Sequence, residues 1–147
     1  MKISAKSRYA LAALIQMGQL NEIEEFVSLL YLSEKLDISK IYLEQIFSLL
    51  KRGGIVISTK GFGGGYKLSR SMNEISAYDI LSAIEFSLFE KTAHTVTEKA
   101  PNIENVLQSD VFLPLDTVIP DTLKKITLDT LVIRAARQDD GGGMYYI

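Results

Sequence analysis

The chain reads SLLYLSEKLDISKIYLEQIFSLLKR from Ser28 to Arg52, and this stretch decides the fold. Two apolar runs with helical spacing, 29–36 and 40–52, each follow a serine, Ser28 and Ser39, whose hydroxyl can accept hydrogen bonds from the free amides of a first turn. The connection between them begins at Asp37, and aspartate tolerates the left-handed backbone of a tight turn. Two helices joined in this way form a helix-turn-helix.

The segments on either side extend this unit. Ser4 can cap a first helix over about 5–19. A β-branched run at 55–59, a glycine-dense turn at 60–65 and an alternating run at 66–69 predict a hairpin whose loop is longer than two residues. We therefore expect a mainly α protein with a small β-hairpin wing, which is a winged helix-turn-helix.

The C-terminal half predicts further helices and a tail. Ser76 and Asp79 have the spacing of a capping box and open a short helix. A longer helical pattern over 102–126 contains Pro114 and Pro120, each of which should kink or break it. The predicted organisation is a winged helix-turn-helix domain at 1–85, an aperiodic loop at 86–101 that could sense a signal, dimerisation helices at 102–136, and a disordered tail at 137–147.

Charge is distributed unevenly along the 147 residues, although the formal net charge is only -2. Residues 1–70 carry ten basic and six acidic side chains, whereas residues 71–147 carry six basic and twelve acidic ones. Within 40–70 there are six basic residues and one acidic residue, and such a local excess attracts polyanions or forms a solvated face.

The helix at 40–52 has two distinct faces. Its apolar face, Leu43, Ile46, Phe47 and Leu50, belongs to the core, and its other face comprises Lys40, Ile41, Glu44, Gln45, Ser48, Lys51 and Arg52. After a tight turn, such a face is presented as a recognition helix is presented to the major groove. Glu44 can accept from a cytosine amino group, Gln45 can pair with adenine, and Ile41 can meet a thymine methyl.

The glycine-rich loop that begins at Lys60 has three interpretations. A nucleotide-binding loop requires different glycine spacing and a helix after the loop, so it is disfavoured. A flexible hairpin and a DNA-contacting wing both fit. In a wing, Lys60 and Lys67 would neutralise phosphates or enter the minor groove, and Phe62 at the tip could wedge against a sugar or a base step.

Several segments together resemble a known family. KISAKSRYAL at 2–11, YLEQ at 42–45, KGFGGGY at 60–66 and ITL at 126–128 are similar to the hallmark segments of the Rrf-two (Rrf2) family of bacterial winged helix-turn-helix transcription regulators. The resemblance spans about residues 1–135. It implies a homodimer built on a long helix near 103–125, which binds a pseudo-palindromic operator through one recognition helix per half-site.

The resemblance also implies roles for individual residues. It makes the helix with Glu44 and Gln45 the base-reading element and places the loop 60–64 along the minor groove. The residues predicted to contact DNA are Lys6, Arg8, Ser28, Ser39, Lys40, Ile41, Tyr42, Glu44, Gln45, Lys51, Lys60, Gly61, Phe62, Gly63, Gly64 and Lys67. Those predicted for dimerisation are Ile103, Val106, Leu107, Leu115, Val118, Ile119 and Leu123.

Two departures from the family pattern matter. Members that bind an iron–sulfur cluster carry three cysteines at about 90–105, and this chain has no cysteine, so it resembles the cluster-free branch. We therefore expect no metal or cofactor, and we expect the lone His94 to be a solvated loop residue. The second departure is Phe62, where the family usually has proline.

The sequence thus predicts a cytoplasmic, homodimeric regulator of transcription, most simply a repressor, which binds double-stranded DNA. The signal is open: a small molecule or a protein could act at 86–101 or at the dimer helix. The alternative is a winged-helix module that docks a partner protein through its acidic C-terminal part. An enzyme is disfavoured because no nucleophile or metal-ligand motif is visible, and no apolar run is long enough to span a membrane.

Overall fold

The protein consists of seven α-helices and a two-stranded hairpin in a computed structural model that describes residues 1–20, 25–61 and 64–141, with side chains through Gln138. In chain order the elements are α1 (Ala5–Gly18), α2 (Leu29–Leu36), α3 (Lys40–Arg52), β1 (Val56–Thr59), β2 (Gly65–Leu68), a 3-10 turn (Met72–Glu74), α4 (Ala77–Ile84), α5 (Pro101–Leu107), a π turn (Gln108–Phe112), α6 (Leu113–Lys124) and α7 (Leu128–Gly141).

The predicted helix-turn-helix is confirmed together with its local chemistry. The Ser28 hydroxyl accepts from the Tyr31 amide, and the Ser39 hydroxyl accepts from the Tyr42 amide, each at 3.1 Å. Asp37 ends α2 in the left-handed conformation, with φ 54° and ψ 45°. This residue turns the chain so that α3 can start three residues later.

The wing is an antiparallel hairpin in which Val56 pairs with Leu68 and Thr59 pairs with Gly65. A third segment, which the sequence did not reveal, extends it: the Val27 amide donates to the Tyr66 carbonyl at 2.7 Å, and the Tyr66 amide returns the bond at 2.8 Å. Gly65 allows this approach, because a Cβ there would lie 2.3 Å from the Val27 carbonyl oxygen.

A single apolar core joins the N-terminal helices to the last helix. Leu14, Leu32, Phe47 and Ile80 are fully buried in it, and so is Leu128 of α7. The α1–α7 approach needs Gly18, since a Cβ there would come within 2.5 Å of a Val132 methyl. The last helix, α7, therefore contributes Leu128 and Val132 to the core that α1 to α4 form.

The predicted interruption of the C-terminal helix takes the form of a π turn: Pro114 lies in the first turn of α6 directly after that turn, whereas Pro120 lies inside α6 and does not end it. The widened i to i+5 turn relieves the helix of the ring clash and lost bond that Pro114 would cause in regular α geometry. The tail was expected to be disordered from 137, but α7 continues to Gly141, since no helix breaker precedes the glycines. Residues 142–147 lie outside the described residues.

Within the described ranges, no helix combines the length and apolar character needed to cross a bilayer.

Candidate nucleic-acid interface

The structure divides α3 into a buried face and an exposed face as its spacing predicted. Leu43, Ile46, Phe47 and Leu50 are fully buried. Ile41 is 71% exposed, although large aliphatic side chains are usually covered. The outer face of α3, by which we mean Lys40, Ile41, Glu44, Gln45, Ser48, Lys51 and Arg52, is exposed throughout.

An aromatic contact that sequence analysis did not identify joins α3 to α1. The Tyr9 and Tyr42 rings meet edge to face, with centroids 5.5 Å apart and planes at 87°. Tyr9 is still 38% exposed and follows Arg8, so it forms part of the same surface as the outer face of α3. The contact orients the first turn of α3 relative to the N-terminal part of α1.

The start of α1 is held by a carboxylate from the end of α4. Glu85 accepts from the Ser4 amide at 2.8 Å and from the Ser7 hydroxyl at 2.6 Å. Hydrogen bonds from Ser4 and Ser7 keep the pKa of Glu85 below its ordinary value. Lys6 and Arg8 are next to Ser7 in α1, so the same bonds hold the turn of backbone that carries these two cations.

The wing carries two lysines, of which Lys60 is exposed and Lys67 contacts an aromatic ring. Lys60 is exposed at the start of the loop, and Gly61 turns the chain there with φ +97°. The Lys67 ammonium lies 5.0 Å from the centre of the Phe26 ring, so it has a partner within the fold. The predicted contacts Phe62 and Gly63 lie outside the described residues.

Arg70, one of the cations in the basic segment 40–70, bonds to other residues of the fold. The Arg70 guanidinium donates to the carbonyls of Gly54 at 3.1 Å and Glu74 at 3.0 Å, and it pairs with Asp79 at 3.3 Å. Asp79 also closes the capping box of α4 with Ser76. The wing base is thus tied to α4, and the positive charge available to a ligand is smaller than the sequence count suggested.

A buried carboxylate organises the segment that precedes α5. Glu104 is only 3% exposed, and its carboxylate accepts from the amides of Thr95 at 2.9 Å and Val96 at 2.8 Å, from the Gln108 amide group at 2.8 Å and from His94 Nδ1 at 3.1 Å. The Val96 and Gln108 hydrogen bonds outweigh desolvation and lower the pKa of Glu104 to about 2. We call this arrangement the Glu104 clasp.

The Glu104 clasp could not be predicted from the sequence, because a single glutamate in a helical pattern is typically a surface residue. The interpretation of His94 was incomplete: its side chain is 73% exposed, but it bonds to Glu104. Among residues 1–20, 25–61 and 64–141, no group of three or more His, Asp or Glu side chains could hold a metal ion.

The predicted dimerisation residues fall on two faces. Ile103, Val106, Leu115 and Val118 are exposed, whereas Leu107, Ile119 and Leu123 are half-buried. Val111, which was not predicted, is also exposed and lies five residues after Val106 across the π turn. An i to i+5 turn places Val111 over Val106, so that Ile103, Val106, Val111, Leu115 and Val118 form one apolar stripe.

A helix-turn-helix with an exposed second helix and an adjacent hairpin defines the winged helix-turn-helix class of DNA-binding proteins. The sequence profile of the family described as "Rrf2: Iron-dependent Transcriptional regulator" matches residues 3–134. The chain belongs to the Rrf2 family.

Known relatives agree with this assignment. The chain is 38% identical over 132 residues to the HTH-type transcriptional regulator IscR of Pectobacterium carotovorum, covering 90% of this chain and 79% of the relative. Among solved structures, CymR, the global cysteine regulator of B. subtilis, is similar with a TM-score of 0.73, 27% identity and coverage of 91% and 98% of the two chains. IscR of T. potens is similar with a TM-score of 0.63, 32% identity and coverage of 92% and 88%.

The protein is therefore a DNA-binding transcriptional regulator and not an enzyme, as the sequence predicted. The alternative of a module that docks only proteins is not favoured, because the relatives are named as transcriptional regulators.

The Glu104 clasp predicts a specific effect of Glu104→Gln. The substitution keeps the side chain's size but removes its charge, and it brings an NH2 group to donors that need acceptors. We expect the Thr95 and Val96 amides to exchange with solvent at least tenfold faster at pH 7, as measured by hydrogen exchange. Glu98→Gln, an exposed change in the same segment, is the matched control.

The same clasp predicts an acid response. Because the pKa of Glu104 is lower in the folded state, its stabilisation is complete above the ordinary pKa of 4.5 and is lost as the pH falls toward about 2. The difference in urea midpoint between the parent and Glu104→Gln should shrink across this window. An unchanged difference, or equal exchange rates at pH 7, would contradict the role of the clasp.

Proposed function

We propose that the protein binds a pseudo-palindromic operator as a homodimer and represses transcription, with the outer face of one α3 in each of two successive major grooves. The observation that carries this proposal is the complete exposure of that face on a helix whose opposite side is fully buried. A rigidly seated helix with an exposed polar face is the geometry of base readout.

Three side chains near the start of α3 supply the readout. Gln45 can donate to and accept from the major-groove edge of adenine, and Glu44 accepts from the cytosine amino group. Ile41 offers a methyl-bearing surface to thymine, which would account for its 71% exposure. Glu44 also repels phosphates, so we expect it to contribute selectivity more than affinity.

Backbone contacts fix the position of α3 on the duplex. The N-termini of α2 and α3 carry free amides, and the hydroxyls of Ser28 and Ser39 accept from within their own helices and keep a proton to donate. Lys6 and Arg8 on α1 and Lys51 at the end of α3 flank this region. Lys60, in the wing beside the helix-turn-helix, would contact a phosphate or the minor groove next to the major groove that α3 occupies.

The apolar stripe is our proposed dimer surface. Five large aliphatic residues exposed along α5, the π turn and α6 make an apolar face of the kind that marks a protein contact. The π turn keeps the stripe continuous, since an uninterrupted α-helix would place Val111 about 140° around the helix from Val106. A second copy of this chain, which presents the same stripe, is the occupant that two-fold symmetry supplies.

Regulation would then act through the distance between the two α3 helices. Any ligand that favours a different arrangement of the dimer lowers affinity, because both half-sites can no longer be met together. The segment 86–101 and the dimer helix are our proposed sensing regions. With no cysteine in the chain, an iron–sulfur cluster held by thiolates is not the signal that we propose.

Base readout is tested with Glu44→Ala and Gln45→Ala, and Ser48→Ala on the same face serves as the control. An operator is first selected from random DNA with the parent protein. We expect each variant to lose about 1–3 kcal/mol of discrimination at one position of each half-site, measured by competition with single-base variants of that operator. Unchanged preferences in both variants would show that α3 does not read the bases.

The wing is tested with Lys60→Ala. One lost phosphate contact per subunit should lower the slope of log K against log salt by about 0.9, hence by about 2 in a dimer, for operator and unrelated DNA alike. Lys91→Ala, which removes an exposed lysine from the acidic half, is the control. Lys67→Ala is less informative because this residue also contacts Phe26. An unaltered slope for Lys60→Ala would exclude wing contact with the phosphates.

The dimer surface is tested with Val118→Glu, and Leu113→Glu is a matched control. Both residues are exposed on α6 at 60% and 62%. Leu113 lies about 140° around the helix from Val118, outside the apolar stripe. We expect Val118→Glu to weaken self-association at least tenfold in sedimentation equilibrium and to abolish cooperative operator binding, while Leu113→Glu remains dimeric. Equal effects of the two substitutions would show that the stripe is not the interface.

A further inference from the structure

A cavity of about 510 Å³ lies between the N-terminal segment, α1, α4, the segment 88–90 and α6. Its volume falls in the range of about 300–1,000 Å³ that is typical of small-molecule sites. Most of the lining is apolar, with side chains from each of these elements: Ile3, Leu11, Leu81, Phe89, Ile119 and Leu123. A mostly apolar pocket of this size is the usual form of a ligand site.

The polar groups of the lining are mainly acidic. Glu90 and Asp116 contribute carboxylates to the lining. Both oxygens of Asp116 accept from Thr92, one from its amide and one from its hydroxyl, each at 2.8 Å. No lysine or arginine lines the cavity among the described residues. An anionic ligand would therefore be repelled, whereas a neutral or cationic one would not.

A second copy of this chain need not occupy this space, because the cavity and the apolar stripe lie on different faces of α6. At about 100° per residue, Ile119 and Leu123 point about 100° and 140° away from Val118. Leu115 is the one residue of the stripe that also lines the cavity. A second copy of the chain bound to the stripe would therefore contact the cavity lining only near Leu115 and would leave most of the cavity unfilled.

We propose that this cavity binds an apolar small molecule, neutral or with a cationic end, and that its occupancy is coupled to DNA binding. The proposal rests on the function proposed above. The coupling follows from what forms the walls: Leu11 belongs to the helix that carries Lys6 and Arg8, and Ile119 belongs to the proposed dimer helix. A ligand between them changes how the dimer helix sits on the DNA-binding helices.

The wall at 88–90 belongs to the segment 86–101 that is proposed for sensing. Phe89 stacks on Tyr78 of α4 with ring centroids 4.7 Å apart, and the Lys124 ammonium lies 4.6 Å from the centre of the Tyr78 ring. The Thr92–Asp116 bonds tie the next residues to α6. A ligand that displaces Phe89 would therefore disturb contacts of both α4 and α6.

The test uses three probes with one scaffold and different charge: 1-naphthalenemethanol, 1-naphthylmethylamine and 1-naphthoate. Binding to the DNA-free, full-length protein is measured by calorimetry. We expect the alcohol and the amine to bind at least tenfold more tightly than the carboxylate. Each of these two probes should change operator affinity at least fivefold, and operator DNA should change probe affinity by the same factor, because coupling is reciprocal.

Two cavity-filling variants locate the site. Ala77→Leu and Leu131→Phe add volume to the lining from different helices, and Ala136→Leu on the exposed side of α7 is the control. Each filling variant should lose probe affinity at least tenfold while it keeps a cooperative thermal transition and the parent's operator affinity without probe. The control should bind the probes as the parent does.

Several results would overturn the proposal: absence of binding by all three probes, equal binding of the carboxylate, probe affinity unchanged in both filling variants, or binding with no effect on operator affinity. Loss of probe binding when the protein dimerises would show that the second copy of the chain, and not a small molecule, fills the cavity. Operator binding without any probe tests the proposed function separately, so the two failures are distinguishable.

Discussion

The packing of α3 is the constraint on which the rest of the molecule depends. Four of its side chains, with Phe47 at the centre, are fully buried against α1, α4 and the wing base, so the helix cannot rotate without opening the core. The Phe47 ring also contacts Tyr66 of β2, with centroids 4.9 Å apart. One buried face thereby fixes the direction of the outer face and the position of the hairpin beside it.

Some charged side chains stabilise the fold through hydrogen bonds and ion pairs, whereas others stay exposed and accessible to a ligand. Arg70 and Glu85 are held by neighbours, and both bind elements that carry the proposed DNA-binding surface: Arg70 secures the wing base, and Glu85 secures the start of α1. Lys60, Lys51 and Arg8 remain exposed. A surface of this kind combines rigid placement with accessible charge, which is what positioning on a phosphate backbone requires.

Local signals in the sequence were sufficient for much of this architecture. Serine caps, an aspartate that tolerates the left-handed turn, and apolar spacing act over a few residues, so α2, α3 and the α4 capping box followed from the chain alone. The exposed face of α3 followed from the same periodicity. The π turn before Pro114 could not be predicted in the same way, because a π turn depends on the packing of a whole helix and not on one residue.

Contacts between residues distant in the chain could be found only in the folded molecule. Tyr9 meets Tyr42, Val27 extends the wing at Tyr66, and α7 returns through Val132 to the groove at Gly18, each across many residues of intervening chain. Glu104 is not distinguished from other helical glutamates in the sequence, but in the structure the Thr95 and Val96 amides donate to its carboxylate. Periodicity and capping are short-range properties that a sequence displays directly, whereas the burial of a charge or the opening of a cavity depends on how complete elements pack together.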